Sequence, residues 1–206
     1  MIKLLFNLRK ISSQVGFTMI ELLIVIAILG ILAVAVLSAI NPVEQINRGR
    51  DTGSRSDAEQ VVSAIDRYNA FAGYYPWQNG ASDTVYDVAF VAWDADDALM
   101  NNDGSCNVSD LLAAGDGGAC KGSNELKVTF FTRIFDSGYN FLKVYHGPNP
   151  SDSTYVCFAP KSDAFKTEAD NRVAGTLPAD YPAAAVDDVT GLCGVVGTAS
   201  NCICLP

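Results

Sequence analysis

From Leu22 to Ile40 the chain runs nineteen residues without a charge, and the stretch Gly16-Phe17-Thr18-Met19-Ile20-Glu21 stands directly before it. From Phe17 to Ile40 there are 24 residues, which as a helix rising 1.5 Å per residue would reach about 36 Å. A bilayer's hydrocarbon core is roughly 30 Å thick, so the segment is long enough to cross it with some tilt. Glu21 is the one ionisable residue in this span. A carboxylate at the mouth of an apolar helix is costly and therefore marks a functional position whose partner has to be found.

Charge orients the segment. The net charge is −9; Lys3, Arg9 and Lys10 give residues 1–16 a charge of +3, leaving −12 for the rest. A basic leader ahead of the span places the N-terminus inside and everything after Ile40 outside, by the positive-inside rule. Ordinary secretory signals are cut after their apolar region. Here the candidate cut, between Gly16 and Phe17, precedes it, so cleavage would remove the leader and keep the anchor. The acidic remainder argues against nucleic-acid binding, which needs clustered Lys and Arg.

Gly16-Phe17-Thr18-Met19-Ile20-Glu21-Leu22-Leu23-Ile24-Val25 resembles the class III signal of type IV pilins and type II secretion pseudopilins. The resemblance implies cleavage after Gly16 by a prepilin peptidase, N-methylation of the new terminus at Phe17, and a role for Glu21 in assembly. In a bundle of such helices the Phe17 amine of one copy would meet Glu21 of the next, since two opposite charges desolvated together cost less than either alone. The partners implied are other copies of the chain, other pilins, the prepilin peptidase and an inner-membrane assembly machinery. The implied route runs from a single-pass cytoplasmic-membrane protein to an extracellular or periplasmic filament.

Asn41-Pro42 should kink or break the helix, because proline lacks a donor and crowds the preceding turn, and Gly49 and Gly53 weaken the turns beyond it. From Ser54 to Ala72 the pattern turns amphipathic. Ala58, Val61, Val62, Ile65, Tyr68 and Ala72 form one helical stripe, with Asp57, Glu59, Asp66 and Arg67 off it. Gly73 and Pro76 close that helix. The ending Tyr68, Gly73, Tyr75, Pro76 resembles that of major pseudopilins and related minor pilins. The chain thus divides into four segments: leader 1–16, membrane and assembly helix 17–40, amphipathic continuation 41–72, and an outer α+β domain 73–206.

In the outer part, Thr84–Trp93 reads as extended, and Val108–Ala114 as a short helix in an acidic, loop-rich region. Leu126–Phe135 and Tyr139–Tyr145 read as two strands of a hairpin turning at Asp136-Ser137-Gly138. Thr154–Phe158 reads as a third strand, and the tail from Asp187 to Pro206 lies against the sheet. The expected architecture is a long N-terminal helix packed on a small antiparallel sheet with a disulfide-stapled C-terminal region.

All six cysteines lie beyond the membrane segment, which reads as a disulfide set in an oxidising compartment. Six cysteines allow 15 connectivities. Close spacing favours Cys106–Cys120. Cys157, in a strand, should reach the tail through Cys204 or Cys193, and Cys202 cannot sensibly join Cys204 across one residue. The set adopted is Cys106–Cys120, Cys157–Cys204 and Cys193–Cys202. Asp94, Asp96 and Asp103 offer oxygen ligands of the sort calcium takes, a cation that some pseudopilins bind in an outer loop. No Glu follows at the EF-hand offset, however, so a solvated acidic loop is preferred and no cofactor is expected. His146 stands beside Gly147-Pro148 with no nucleophile arranged for it, and no enzyme is expected. The first expectation is thus a type IV pilus subunit. The alternatives are a type II secretion pseudopilin and a minor pilin with an adhesive outer domain.

Overall fold

A computed structural model of the chain describes residues 16–93, 99–101, 103–115, 120–136, 141–186, 193 and 201–206. It divides into two compact units, Met1–Pro42 and Val43–Pro206. In the first, helix α1 spans Met19–Ala39 and every side chain described on it is exposed. Its Met19–Ser38 part is long and apolar enough to cross a membrane. The expected interruption is a two-residue gap: Ile40 is extended (φ −102°, ψ 129°) and α2 begins at Pro42. The residue before a proline avoids the helical region, while proline at a helix's first position gives up only an N–H that would be unpaired anyway.

Helix α2, Pro42–Ala72, runs through Gly49 and Gly53. Each glycine costs about 1 kcal/mol in a helix interior, so tertiary contacts from the buried Asp51, Ser54, Asp57 and Ala58 carry that turn. Gly73 ends α2 in the left-handed region (φ 79°), its N–H donating to the Asn69 carbonyl at 2.8 Å.

The sheet has four antiparallel strands in the order β1 (Val88–Trp93), β2 (Leu142–His146), β3 (Thr154–Phe158) and β4 (Ile203–Leu205). Pairing between β1 and β2 shifts register between Val88 and Val91. Between β1 and β2 lie two short helices, α3 (Val108–Leu112) and α4 (Val128–Ile134). Between β3 and β4 lie α5 (Asp163–Val173) and a 3-10 turn at Ala183–Ala185.

The expected hairpin at Leu126–Phe135 is corrected. Val128–Ile134 is helical and buries Phe130, Phe131 and Ile134, a spacing of one and then three residues that suits one helix face. Its β-rich composition loses to that burial, as strand preference does when packing decides. The proposed turn at Ser137-Gly138 lies outside the described residues, as do 187–192 and 194–200 of the tail.

Strand β3 is buried on both faces. Val156 and Phe158 face the main core with Ala58, Val61, Ile65, Leu112, Ile134 and Ile203, whereas Tyr155 and Cys157 join Ala185, Cys193, Cys202 and Cys204 in a second cluster. Alternation along the strand makes this division possible. Full burial of a large aliphatic or aromatic side chain is worth about 1.5–3 kcal/mol, so the α2 stripe and Phe158 dominate the main core. The other face of the sheet is covered largely by sulfur: Cys157 and Cys204 are paired across β3 and β4 and bonded to each other, and Cys193 is bonded to Cys202.

Candidate processing and assembly site

Gly16, Phe17 and Thr18 precede α1 in non-helical conformation. A Cβ added to Gly16 would meet nothing within 4 Å. Among the described residues, therefore, no close contact demands glycine there. Phe17 is exposed.

Thr18 is the N-cap of α1 (φ −81°, ψ 147°) and closes a capping box with Glu21. The Thr18 backbone N–H donates to Glu21 Oε2 at 2.8 Å and the Thr18 hydroxyl donates to the same oxygen at 2.7 Å; the hydroxyl oxygen accepts from the Glu21 N–H at 3.3 Å. Two otherwise orphaned backbone donors are satisfied by this exchange. It also gives Glu21 a partner within its own helix. The spacing Thr18-x-x-Glu21 before an apolar run is itself a capping-box signature, and Thr18 is the site residue that charge and motif reasoning passed over.

Beyond Glu21, the thirteen Leu, Ile and Val residues between Leu22 and Ile40 would each favour the membrane centre by roughly 0.3–0.6 kcal/mol, about 4–8 kcal/mol together. These residues are exposed throughout α1, so the helix needs an apolar surrounding that the chain does not supply within that unit.

Residues 12–37 match the prokaryotic N-terminal methylation motif. This motif is typical of type IV pilins and pseudopilins, and it spans Gly16, Phe17, the capping box and most of α1. No curated protein and no solved structure matches the chain. Residues 1–15 of the expected 1–16 leader lie outside the described residues.

The remaining expected positions are scattered. Cys106 is joined to Cys120, Cys157 to Cys204 and Cys193 to Cys202, so the structure brings each of these pairs together. Pro42 stands at the boundary of the two units. Asp94 and Asp96 lie outside the described residues. Asp103 is exposed, and hydrogen bonds from the Ser105 hydroxyl and amide hold its carboxyl below the usual range. Among the described residues no group of three or more His, Cys, Asp or Glu is placed to hold a metal. His146 is fully buried against the stacked rings of Tyr75 (4.5 Å) and Trp77 (5.5 Å), with Nδ1 2.7 Å from the Gly147 carbonyl oxygen.

Several polar contacts tie α2 to the rest of its unit. Asp51 accepts from the N–H groups of Lys161 and Ser162 at the start of α5, and Glu44 accepts from the Asp163 N–H at 3.1 Å. Arg55 bonds Glu168 on α5 and stacks over Phe165 at 4.8 Å. Arg133 on α4 grips the buried Asp57 with two bonds of 2.8 and 2.6 Å. Arg67 bonds Glu125 at 2.6 Å. None is legible in sequence, because the partners are 58 to 119 residues apart.

Proposed function

We propose that this chain is a structural subunit of a type IV pilus-like filament, stored as a membrane protein and assembled through α1. The observation that carries the reading is the methylation motif at residues 12–37 running into a wholly exposed apolar helix. The motif implies assembly with other pilins and processing by a prepilin peptidase, and with the apolar helix it fits membrane anchoring. Cleavage after Gly16 would free an amine at Phe17, four residues before Glu21. In the isolated subunit Thr18 satisfies Glu21; in the filament a neighbour's Phe17 amine would take that carboxylate. Glu21 then acts as a register device, because an unpaired charge is disfavoured in apolar surroundings and only one stagger of helices pairs it. A type II secretion pseudopilin is the second reading, favoured by the α2 ending at Tyr68, Gly73, Tyr75 and Pro76.

The test is mass spectrometry of the mature terminus together with Glu21→Leu and Thr18→Ala. The expected terminus is N-methylated Phe17. Glu21→Leu should insert normally and enter filaments about tenfold less or worse, and Thr18→Ala should insert normally. An intact Met1, a cut after Ile40, or normal incorporation of Glu21→Leu would overturn the reading. Abundance in sheared filaments separates a pilus subunit from a pseudopilin or minor pilin.

A further inference from the structure

Between α2 and α4 lies an open groove made of two adjoining hollows of about 370 and 450 Å³, which share Gln60, Glu125 and Leu126. Ser56, Ser63 and Arg67 continue it along the solvent face of α2; Lys127 and Arg133 line its other wall. The short side chains on α2 open the groove, and its charges are arranged in depth. Arg67 is 53% exposed while its partner Glu125 is 23% exposed; Arg133 is 51% exposed while Asp57 behind it is 4% exposed. Lys127 is exposed and has no partner among the described residues. The cations therefore stand forward and most of the acids are recessed, with Glu59 the exposed exception. Three cations and three acids thus balance in sum, and what the groove turns outward is the cation side of the Arg67–Glu125 and Arg133–Asp57 pairs together with Lys127.

The opposite charge is concentrated in one stretch of the sequence, of whose aspartates Asp83, Asp87, Asp103 and Asp110 lie among the described residues. Between Arg67 and Lys121 there are eight aspartates and no Lys, Arg, His or Glu. Two of its turns are joined through Asn79, whose N–H donates to Asp83 at 3.0 Å and whose side-chain oxygen accepts from the Asp103 N–H at 3.2 Å. Asp83 and Asp103 thus share one face, and Asp87 and Asp103 are exposed.

We propose that the α2–α4 groove receives the Asp83–Asp103 face of a second copy of this chain. The proposal rests on the filament-subunit reading and names the outer-domain contact that such a subunit would use. Groove and acidic face are different patches, so the contact is heterologous: each copy engages one neighbour through its groove and another through its acidic face, and the contact repeats without closing. Complementary charge of this kind selects partner and register and speeds encounter.

The test uses the full-length chain, in membranes and in sheared filaments, prepared as a mixture of heavy- and light-isotope copies. Carbodiimide joins an amine to a carboxylate only in direct contact, and the isotope mixture separates links between copies from links within one. The expected result is links between copies from Lys127 to Asp83, Asp87 or Asp103. They should fall about tenfold at 1 M salt, where the screening length is roughly 3 Å. Lys127→Glu, with all three disulfides still formed, should reduce association between copies about tenfold, and adding Asp83→Lys and Asp103→Lys to the same chain should restore it. The proposal is overturned by links between copies that leave out Lys127 or these aspartates, by no links between copies, by links from Lys127 to a different polypeptide, or by Lys127→Glu associating like the parent. Assembled copies with methylated Phe17 but without these links would remove this contact and leave the filament reading standing. An unprocessed Met1 terminus with these links present would do the reverse.

Discussion

Asp51 offers the sharpest test of how the outer unit is held together. It lies in the middle of α2 and is fully buried. Its carboxylate accepts the Lys161 N–H at 3.0 Å, the Ser162 N–H at 2.8 Å and the Ser162 hydroxyl at 2.7 Å. Ser162 is also the N-cap of α5, its oxygen accepting from the Phe165 N–H at 3.4 Å. One carboxylate on α2 thus satisfies the start of α5 and sits at the positive end of that helix. Asp51→Ala strands three donors, each worth about 1–3 kcal/mol when buried and unpaired, and forfeits the favourable helix-end charge of up to about 1 kcal/mol. Water reaching the half-exposed Lys161 amide lowers the sum, and a loss of about 4 kcal/mol is expected. That is a large share of the roughly 5–15 kcal/mol of a typical domain. Asp51→Asn keeps the shape and one acceptor and should lose about half as much. The assay is denaturant unfolding of the detergent-solubilised full-length chain with disulfides intact, monitored by fluorescence of Trp77, which is buried and stacked on Tyr75 at 4.7 Å. Glu59→Ala, at an exposed position on the same helix that does not touch α5, serves as the control and should stay close to the parent. A loss below about 1 kcal/mol for Asp51→Ala would refute the reasoning, because it would mean that water replaces the carboxylate without penalty.

Two further outcomes are expected. Arg133→Ala leaves the buried Asp57 without its two-bond partner; breaking a fully buried pair costs about 3–5 kcal/mol, and with Arg133 half exposed about 2 kcal/mol is expected in the same unfolding assay. Replacing both residues by leucine should recover more than half of that loss, and a double variant as weak as Arg133→Ala would argue against a stranded charge. At alkaline pH, burial and then the hydrogen bond to Asp180 push the Tyr155 phenol up to about 12. The neutral phenol is thus favoured by folding, so its contribution is complete below the ordinary tyrosine value of roughly 10 and is lost as pH rises from there through about 12. Tyr155→Phe should flatten that part of the stability profile, which tyrosinate absorbance and unfolding midpoints would register; an unchanged profile would count against it.

The N-terminal unit is legible almost entirely in one dimension. The apolar run, the basic leader, Gly16-Phe17 and Glu21 are local features, and a membrane-length helix can be read from composition because no long-range contact is needed to form it. The capping box of Thr18 and Glu21 is equally local. The α2 stripe from Ala58 to Ala72 is readable for the same reason, since 3.6-residue periodicity marks the face that must be buried. The helix α5 left no such mark: only Ala169 on it is buried, and what holds it is polar contact with Asp51, Glu44 and Arg55. Leu126–Phe135 misleads in the opposite direction, because its β-branched and aromatic residues suit a strand until Phe130, Phe131 and Ile134 join the main core.

Sequence alone determined the methylation motif at residues 12–37, a helix long and apolar enough to cross a membrane, and an α+β domain stapled by cysteines beyond it. Only the tertiary structure decided the division of β3 between two clusters, the carboxylate grip of α2 on α5, and the groove in which Arg67 and Arg133 stand in front of their acids. The physical reason is range. Helix formation, capping and membrane partition depend on neighbours within a turn or on the solvent, whereas these features depend on residues dozens of positions apart whose meeting is set by packing of the whole unit.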